Sequence, residues 1–136
     1  MSDIVLNKAE IIERALVRVQ STYARHQKDL EVSFDAQDVI LLNLQRACEA
    51  SIDLAMHIVR IRSLGLPKDS KSAFDLLCQA DEISISLADK LKKMVGFRNI
   101  AVHDYRAIDW AVVRSVIEKE TEELSGFAKA MVLRHG

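Results

Sequence analysis

Apolar residues recur at helical spacing along almost the whole chain, and no stretch shows the two-residue alternation of a half-buried strand. Ile12, Ala15, Leu16, Val19, Tyr23 and Leu30 follow at steps of three, four and seven, which predicts one amphipathic helix from about Ile4 to about Leu30. A second long helix is expected from near Asp35 to about Leu64, with Leu41, Leu44, Cys48, Ile52, Ala55 and Val59 in register. Asp35 is placed to cap its first amides, and Phe34 to staple against Val39. Apolar residues also fall off this stripe, so this helix should be the central, most buried one. Gly65-Leu66-Pro67 should end it, because glycine accepts a left-handed turn and proline cannot continue a helix.

A short helix is predicted over about Ser70–Ala80. Another begins near Ser84 and carries Ile85, Leu87, Ala88, Leu91, Met94 and Val95 towards Gly96. The last begins with Asp109 as cap and Ile108 placed to staple against Val113. Val113, Val116, Ile117, Glu120, Leu124, Phe127 and Met131 mark its inner face. Short connections favour antiparallel neighbours, so the expected fold is all-α. It is an antiparallel four- to five-helix bundle formed by a single domain over residues 1–136.

Composition agrees. Only 4 Gly and 1 Pro interrupt 136 residues, and 49% hydrophobic with 29% charged residues suits a folded core. Cys48 and Cys78 form no close-spaced pair, so they read as two buried thiols rather than a metal or redox motif. Asp3, Lys8 and Glu10 break the early apolar pattern, so no signal peptide is expected there. No run approaches the ~20 apolar residues of a membrane span. A cytoplasmic protein with no membrane association is expected.

The formal net charge of −1 argues against a broad nucleic-acid surface, though not against a small basic cleft. From Lys90 to Arg106 the sign changes: Lys90, Lys92, Lys93, Arg98 and Arg106 face one acid, Asp104, for a local net of +4. Acids gather instead at Glu118, Glu120, Glu122 and Glu123. A local positive field fits a phosphate-bearing ligand.

Within that segment Arg98 and His103 stand five residues apart, about 140° around a straight helix. They do not share a face. A bend at Gly96 with a helix end near His103 would let them converge, and so would a symmetric dimer in which Arg and His of two subunits line one cleft. A plain arrangement is an exposed arginine and a partly buried histidine, each with a local partner. Chemically the pair suits RNA cleavage. Histidine can take the proton of a 2′-hydroxyl or give one to the leaving oxygen. Arginine stays charged and its planar fork holds the charge that builds on phosphate oxygens. Asn99 can orient a phosphate or the imidazole, and no metal or other cofactor is required.

The string Arg98-Asn99-x-x-x-His103-Asp104-Tyr105 resembles the Arg-x4-His-x-Tyr signature of the HEPN superfamily, and more narrowly the HepT-like toxins. Lys92-Lys93-Met94-Val95-Gly96-Phe97, the acidic Glu49 and Asp53, and the helix order across nearly the full chain are similar too. The resemblance implies a HEPN-like bundle and a metal-independent endoribonuclease. It implies catalytic Arg98 and His103 in a cleft shared by a homodimer; Asn99, Asp53 and Asp104 are read beside it as supporting residues. It further implies the toxin half of a HepT/MntA type toxin–antitoxin pair. The partner would be a minimal nucleotidyltransferase antitoxin, silencing the toxin by adenylylating Tyr105. Added phosphates beside Arg98 and His103 would neutralise the cations and fill the substrate's place. Taken without the resemblance, a tyrosine before a helix start is often a packing residue with its hydroxyl at the surface.

Glu49, Asp53 and His57 follow at intervals of four on one face of the second helix, extended by Arg46 and Arg60. A metal site is one possibility, but Ile52 stands where a Glu-x-x-His motif starting at Glu49 needs histidine. A salt-bridged polar stripe is expected instead, with Asp53 supporting Arg98 or His103. His26 and His135 belong to no motif and are expected at the surface or terminus. The rival function is a non-catalytic nucleotide-binding module, or the docking subunit of a nucleotidyltransferase complex, since Arg plus His also serves phosphate binding.

Overall fold

The computed structural model describes residues 3–136. Helix α1 spans Asp3–Arg25, α2 Phe34–Ile61, α3 Ser70–Gln79 and α4 Ile85–His103. A 3-10 turn at Tyr105–Ala107 leads to α5 (Trp110–Ser115), a π turn at Val116–Glu120 and α6 (Thr121–His135). The last three form one unbroken helical run, which matches the single last helix expected from Asp109. No strand occurs among the described residues.

Local chemistry sets the helix starts. Ser84 Oγ accepts from Leu87 N, and the Asp109 side chain from Ala111 N. Asp69 and Ser72 form a reciprocal capping box ahead of α3. Three expectations change. Leu30 is fully buried but lies outside α1, in the turn that follows Arg25. The cap of α2 is Ser33, whose Oγ accepts from Ala36 N, not Asp35, and Phe34 is exposed rather than stapled. Helix α2 also ends before Gly65. Ser63, at φ 53°, takes the left-handed position, with Ser63 N bonded to Arg60 O and Leu64 N to Val59 O. Asp81, at φ 59°, ends α3 in the same way.

Helix α2 packs against α1, α3, α4 and α6, so it is the central element its apolar pattern predicted. The buried residues form one contiguous cluster. Phe74 of α3 and Phe127 of α6 meet edge to face at 5.7 Å, fully buried. The π turn displaces a carbonyl from the regular ladder, and Ile117 O is satisfied from elsewhere. Gln20 Nε2 of α1 donates to it at 3.0 Å, and Thr121 Oγ1 at 2.8 Å. Arg114 then ties this run to the α1–α2 turn through Glu31 at 2.8 Å and Gln27 O at 2.7 Å, stacking over Tyr23.

Candidate active site

Helix α4 runs through Gly96 to His103 without interruption. No break interrupts the helix at Gly96, and it ends at His103. Arg98 and His103 therefore keep the separation of a regular helix, about 140°. One chain does not bring them together.

Arg98 turns towards α2. Its side chain is 18% exposed, and Nη1 donates to Glu49 Oε1 at 2.5 Å. Its Nε is buried without a partner among the described residues. Cys48 sits beside this pair. Burial pushes its thiol up to about 12, with Arg98 opposing and Glu49 reinforcing the shift, so it stays a neutral thiol. Cys78 is only half-buried, unlike the expectation.

His103 faces outward, as do Asn99 and Asp104, amid exposed Ile100 and Val102. Asp104 closes the helix, its backbone N–H donating to Ile100 O at 2.8 Å. Tyr105 follows at once, 48% exposed. Its hydroxyl lies 3.5 Å from Gln37 Oε1 on the first turns of α2, with the Asp38 carboxylate beside it. Burial, then the negative charge and hydrogen bond of Asp38, hold the phenol above its ordinary range. Gln37 is buried, and its Nε2 donates to Leu30 O at 2.8 Å, which orients the amide. Gln37 and Asp38 were not anticipated. They lie 68 and 67 residues from Tyr105, and no periodicity links them.

Within one chain Asp53 makes no ion pair with Arg98 or His103 among the described residues. It pairs with Lys8 of α1 at 3.1 Å, and Glu49 takes the place expected of it beside Arg98. His57 is buried, 3.4 Å from Arg60 Nη2, so the Glu49–Asp53–His57 stripe is tied into ion pairs and hydrogen bonds as expected. His135 is not a loose terminal residue. With Arg62 and Arg134 it surrounds Glu82, whose side chain is 2% exposed, at 2.7 to 3.2 Å. His26 bonds Asp29 at 3.0 Å.

The +4 of residues 90–106 largely disappears in three dimensions. Lys90 pairs with Glu123 at 2.9 Å and Lys92 with Asp75 at 2.8 Å, while Arg98 is held by Glu49. Lys93 and Arg106 are exposed and make no ion pair among the described residues. At this helix end stand the fixed Arg98 guanidinium, the exposed His103 imidazole, the half-exposed Tyr105 phenol and the exposed Arg106.

Residues 12–131 match the family model of the HepT-like ribonucleases. The chain is 44% identical over 127 residues to the mRNA nuclease HepT of Shewanella oneidensis, covering 93% of this chain and 95% of that one. It is 31% identical over 114 residues to a putative RNase of Archaeoglobus fulgidus, covering 84% and 80%. Its fold matches a tri-AMPylated Shewanella oneidensis HEPN toxin solved in complex with an MNT antitoxin. That match has a TM-score of 0.92 and 42% identity, covering 98% of this chain and 99% of that one. The complete Arg98–Tyr105 string thus stands in a chain that belongs to the HepT-like ribonuclease family.

Proposed function

We propose that this protein is a metal-independent endoribonuclease, the toxin of a toxin–antitoxin pair, whose cleft forms between two copies of the chain. The observation that carries this reading is the divergence of Arg98 and His103 on one continuous helix. Each copy offers a fixed guanidinium on one face and an exposed imidazole on another. A twofold pairing supplies both to one phosphodiester, and exposed Ile100 and Val102 give that face apolar surface to bury.

The chemistry then follows from the side chains. The 2′-oxygen attacks phosphorus, the bond to the 5′-oxygen breaks, and a 2′,3′-cyclic phosphate remains. His103 takes the 2′ proton or returns one to the 5′-oxygen, and Arg98 holds the charge on the equatorial oxygens. Asn99, one helical turn before His103, and Asp104, next to it in sequence, are assigned supporting roles. The exposed Tyr105 hydroxyl is the acceptor for adenylyl groups from a nucleotidyltransferase antitoxin. Its oxygen displaces pyrophosphate from the nucleotide, and the bulky anion left at the helix end blocks the cleft. The relative solved with its antitoxin is itself AMPylated, which supports this regulation.

The test is RNA degradation in excess chelator by wild type, Arg98→Ala and His103→Ala, with folding checked by circular dichroism. Each variant should lose at least about a hundredfold in rate. A folded His103→Ala protein that cleaves as fast as wild type refutes the assignment. Light scattering that finds only a 15.3 kDa species refutes the shared cleft.

A further inference from the structure

Two cavities of about 410 and 310 Å³ lie between α1 and α2 and share Arg18. Arg14 and Asn43 with Arg46 line one; Arg25, His26 and Asp35 line the other. On α1 the arginines fall at positions 14, 18 and 25, steps of four and seven, which keep one face of a helix. Eleven residues of rise spread them over about 16 Å. Arg14 has a weak surface pairing with Glu10 at 3.5 Å, and His26 is held by Asp29. Arg18, Arg25 and Arg46 are exposed and make no ion pair among the described residues. The contrast with α4 is direct, because there three of the four lysines and arginines are held by acids.

Asn43 supplies an independent observation. It is 1% exposed, and its Nδ2 donates to Val39 O at 2.8 Å. Its Oδ1 is buried with no partner among the described residues, beside Arg14, Arg18 and Arg46. A buried acceptor without a donor is costly, so this atom suits a group that brings one. Guanidinium forks suit phosphate oxygens. A ligand that carries repeated phosphates and a nearby hydroxyl donor satisfies both. Acidic side chains at neutral pH offer only acceptors, and a deoxyribose strand lacks the 2′-hydroxyl.

We propose that this groove holds the sugar–phosphate backbone of single-stranded RNA, with Arg18, Arg25 and Arg46 on phosphates and Asn43 Oδ1 accepting from a ribose hydroxyl. The identity of the strand rests on the ribonuclease reading above. The groove reads backbone rather than base edges, so it adds affinity without sequence preference.

The experiment uses the full-length His103→Ala protein, so that binding is measured without cleavage, and a fluorescent single-stranded RNA titrated at several KCl concentrations. Adding Arg18→Ala, Arg25→Ala and Arg46→Ala together should weaken binding about tenfold to thirtyfold at low salt. It should also lower the log–log salt slope by about 2, from roughly 0.7 per phosphate contact. Asn43→Ala, with alanine favoured in helices, should narrow the preference for RNA over a deoxy strand of the same sequence. The proposal fails if the triple variant binds within twofold of its parent with the same slope. It also fails if inorganic phosphate or the deoxy strand competes as well as RNA, or if the Asn43→Ala preference is unchanged. A triple variant that keeps RNA but loses a co-expressed nucleotidyltransferase would make the groove a protein-docking face instead. Wild-type protein that cleaves no RNA, alongside arginine-dependent binding, would sink the ribonuclease reading and leave the groove standing.

Discussion

Glu49 offers the sharpest test of how the arginine is set. Its carboxylate, 44% exposed, accepts from Arg98 Nη1 at 2.5 Å, and the Arg98 side chain is 18% exposed. Glu49→Gln keeps the length and one acceptor but removes the charge; Glu49→Ala removes both. The pair is half in water, so its stability contribution is about 0.5–1.5 kcal/mol, which lowers Tm by a few degrees in a chain of this size. The effect on cleavage should be larger. A guanidinium free to swing by about 1 Å can cost on the order of a hundredfold in rate. Single-turnover cleavage should therefore fall in the order wild type, Glu49→Gln, Glu49→Ala, with the alanine variant down about tenfold to a hundredfold and RNA binding little changed. The opposite view is that Glu49 merely masks the cation and competes with phosphate. It predicts faster cleavage or tighter binding when the carboxylate is removed. Unchanged or raised activity in Glu49→Ala would refute a positioning role.

Other expectations follow from neighbouring groups. Tyr105→Phe removes the acceptor oxygen and the 3.5 Å contact to Gln37. It should stay folded, lose not more than about 1 kcal/mol, and remain unmodified when co-expressed with the antitoxin. Adenylyl mass on the variant's peptide spanning that position would refute Tyr105 as the site. Phe127→Ala empties a fully buried ring from the contact with Phe74 and should cost about 3–5 kcal/mol by denaturant titration. Acid should act through two depressed groups. Burial, then Arg60 and His135, depress His57, so its contribution is intact above its ordinary 6.5 and is lost as pH falls through the lower folded value. Burial alone would raise Glu82, but hydrogen bonds from His135 and Arg62 outweigh it, so its contribution is intact above about 4.5 and is lost in stronger acid. Glu82→Gln should be less stable at neutral pH and flatten the Tm profile below pH 4.5; a profile parallel to wild type there would refute the Glu82 part.

Helix identity was legible because burial and periodicity coincide on most of the chain. Where they part, the sequence misled. Leu30 continues the α1 stripe and is fully buried, yet a turn carries it there. Hydrophobic periodicity reports burial and leaves backbone conformation open. Ser63 and Asp81 take left-handed positions that glycine usually holds, because each is followed by an N–H that closes back onto the helix. Ile117 O in the π turn accepts from Gln20, 97 residues away, and no local rule finds such a pair. The site divides along the same line. The Arg98–Tyr105 string is contiguous and could be read directly. Its partners Glu49, Gln37 and Asp38 come from another helix, and a window charge count cannot see that Lys90, Lys92 and Arg98 meet acids brought from far along the chain.

The proposed cleft, shared between two copies, has consequences for control. Arg98 and His103 diverge, so the proposed shared cleft predicts that activity falls with dilution below the dimer dissociation constant. Tyr105 sits two residues past His103, at the same helix end and half-exposed. In a shared cleft, an adenylyl group on either copy therefore stands beside residues drawn from both. One modified chain should suppress a dimer whose other chain is untouched. Mixed dimers of wild type with Tyr105→Phe decide this. After treatment with the antitoxin and a nucleotide donor, singly modified dimers should retain well under half the activity of unmodified ones. Retention of half or more would mean that each copy works alone, and that the divergence on α4 is resolved in some way other than pairing.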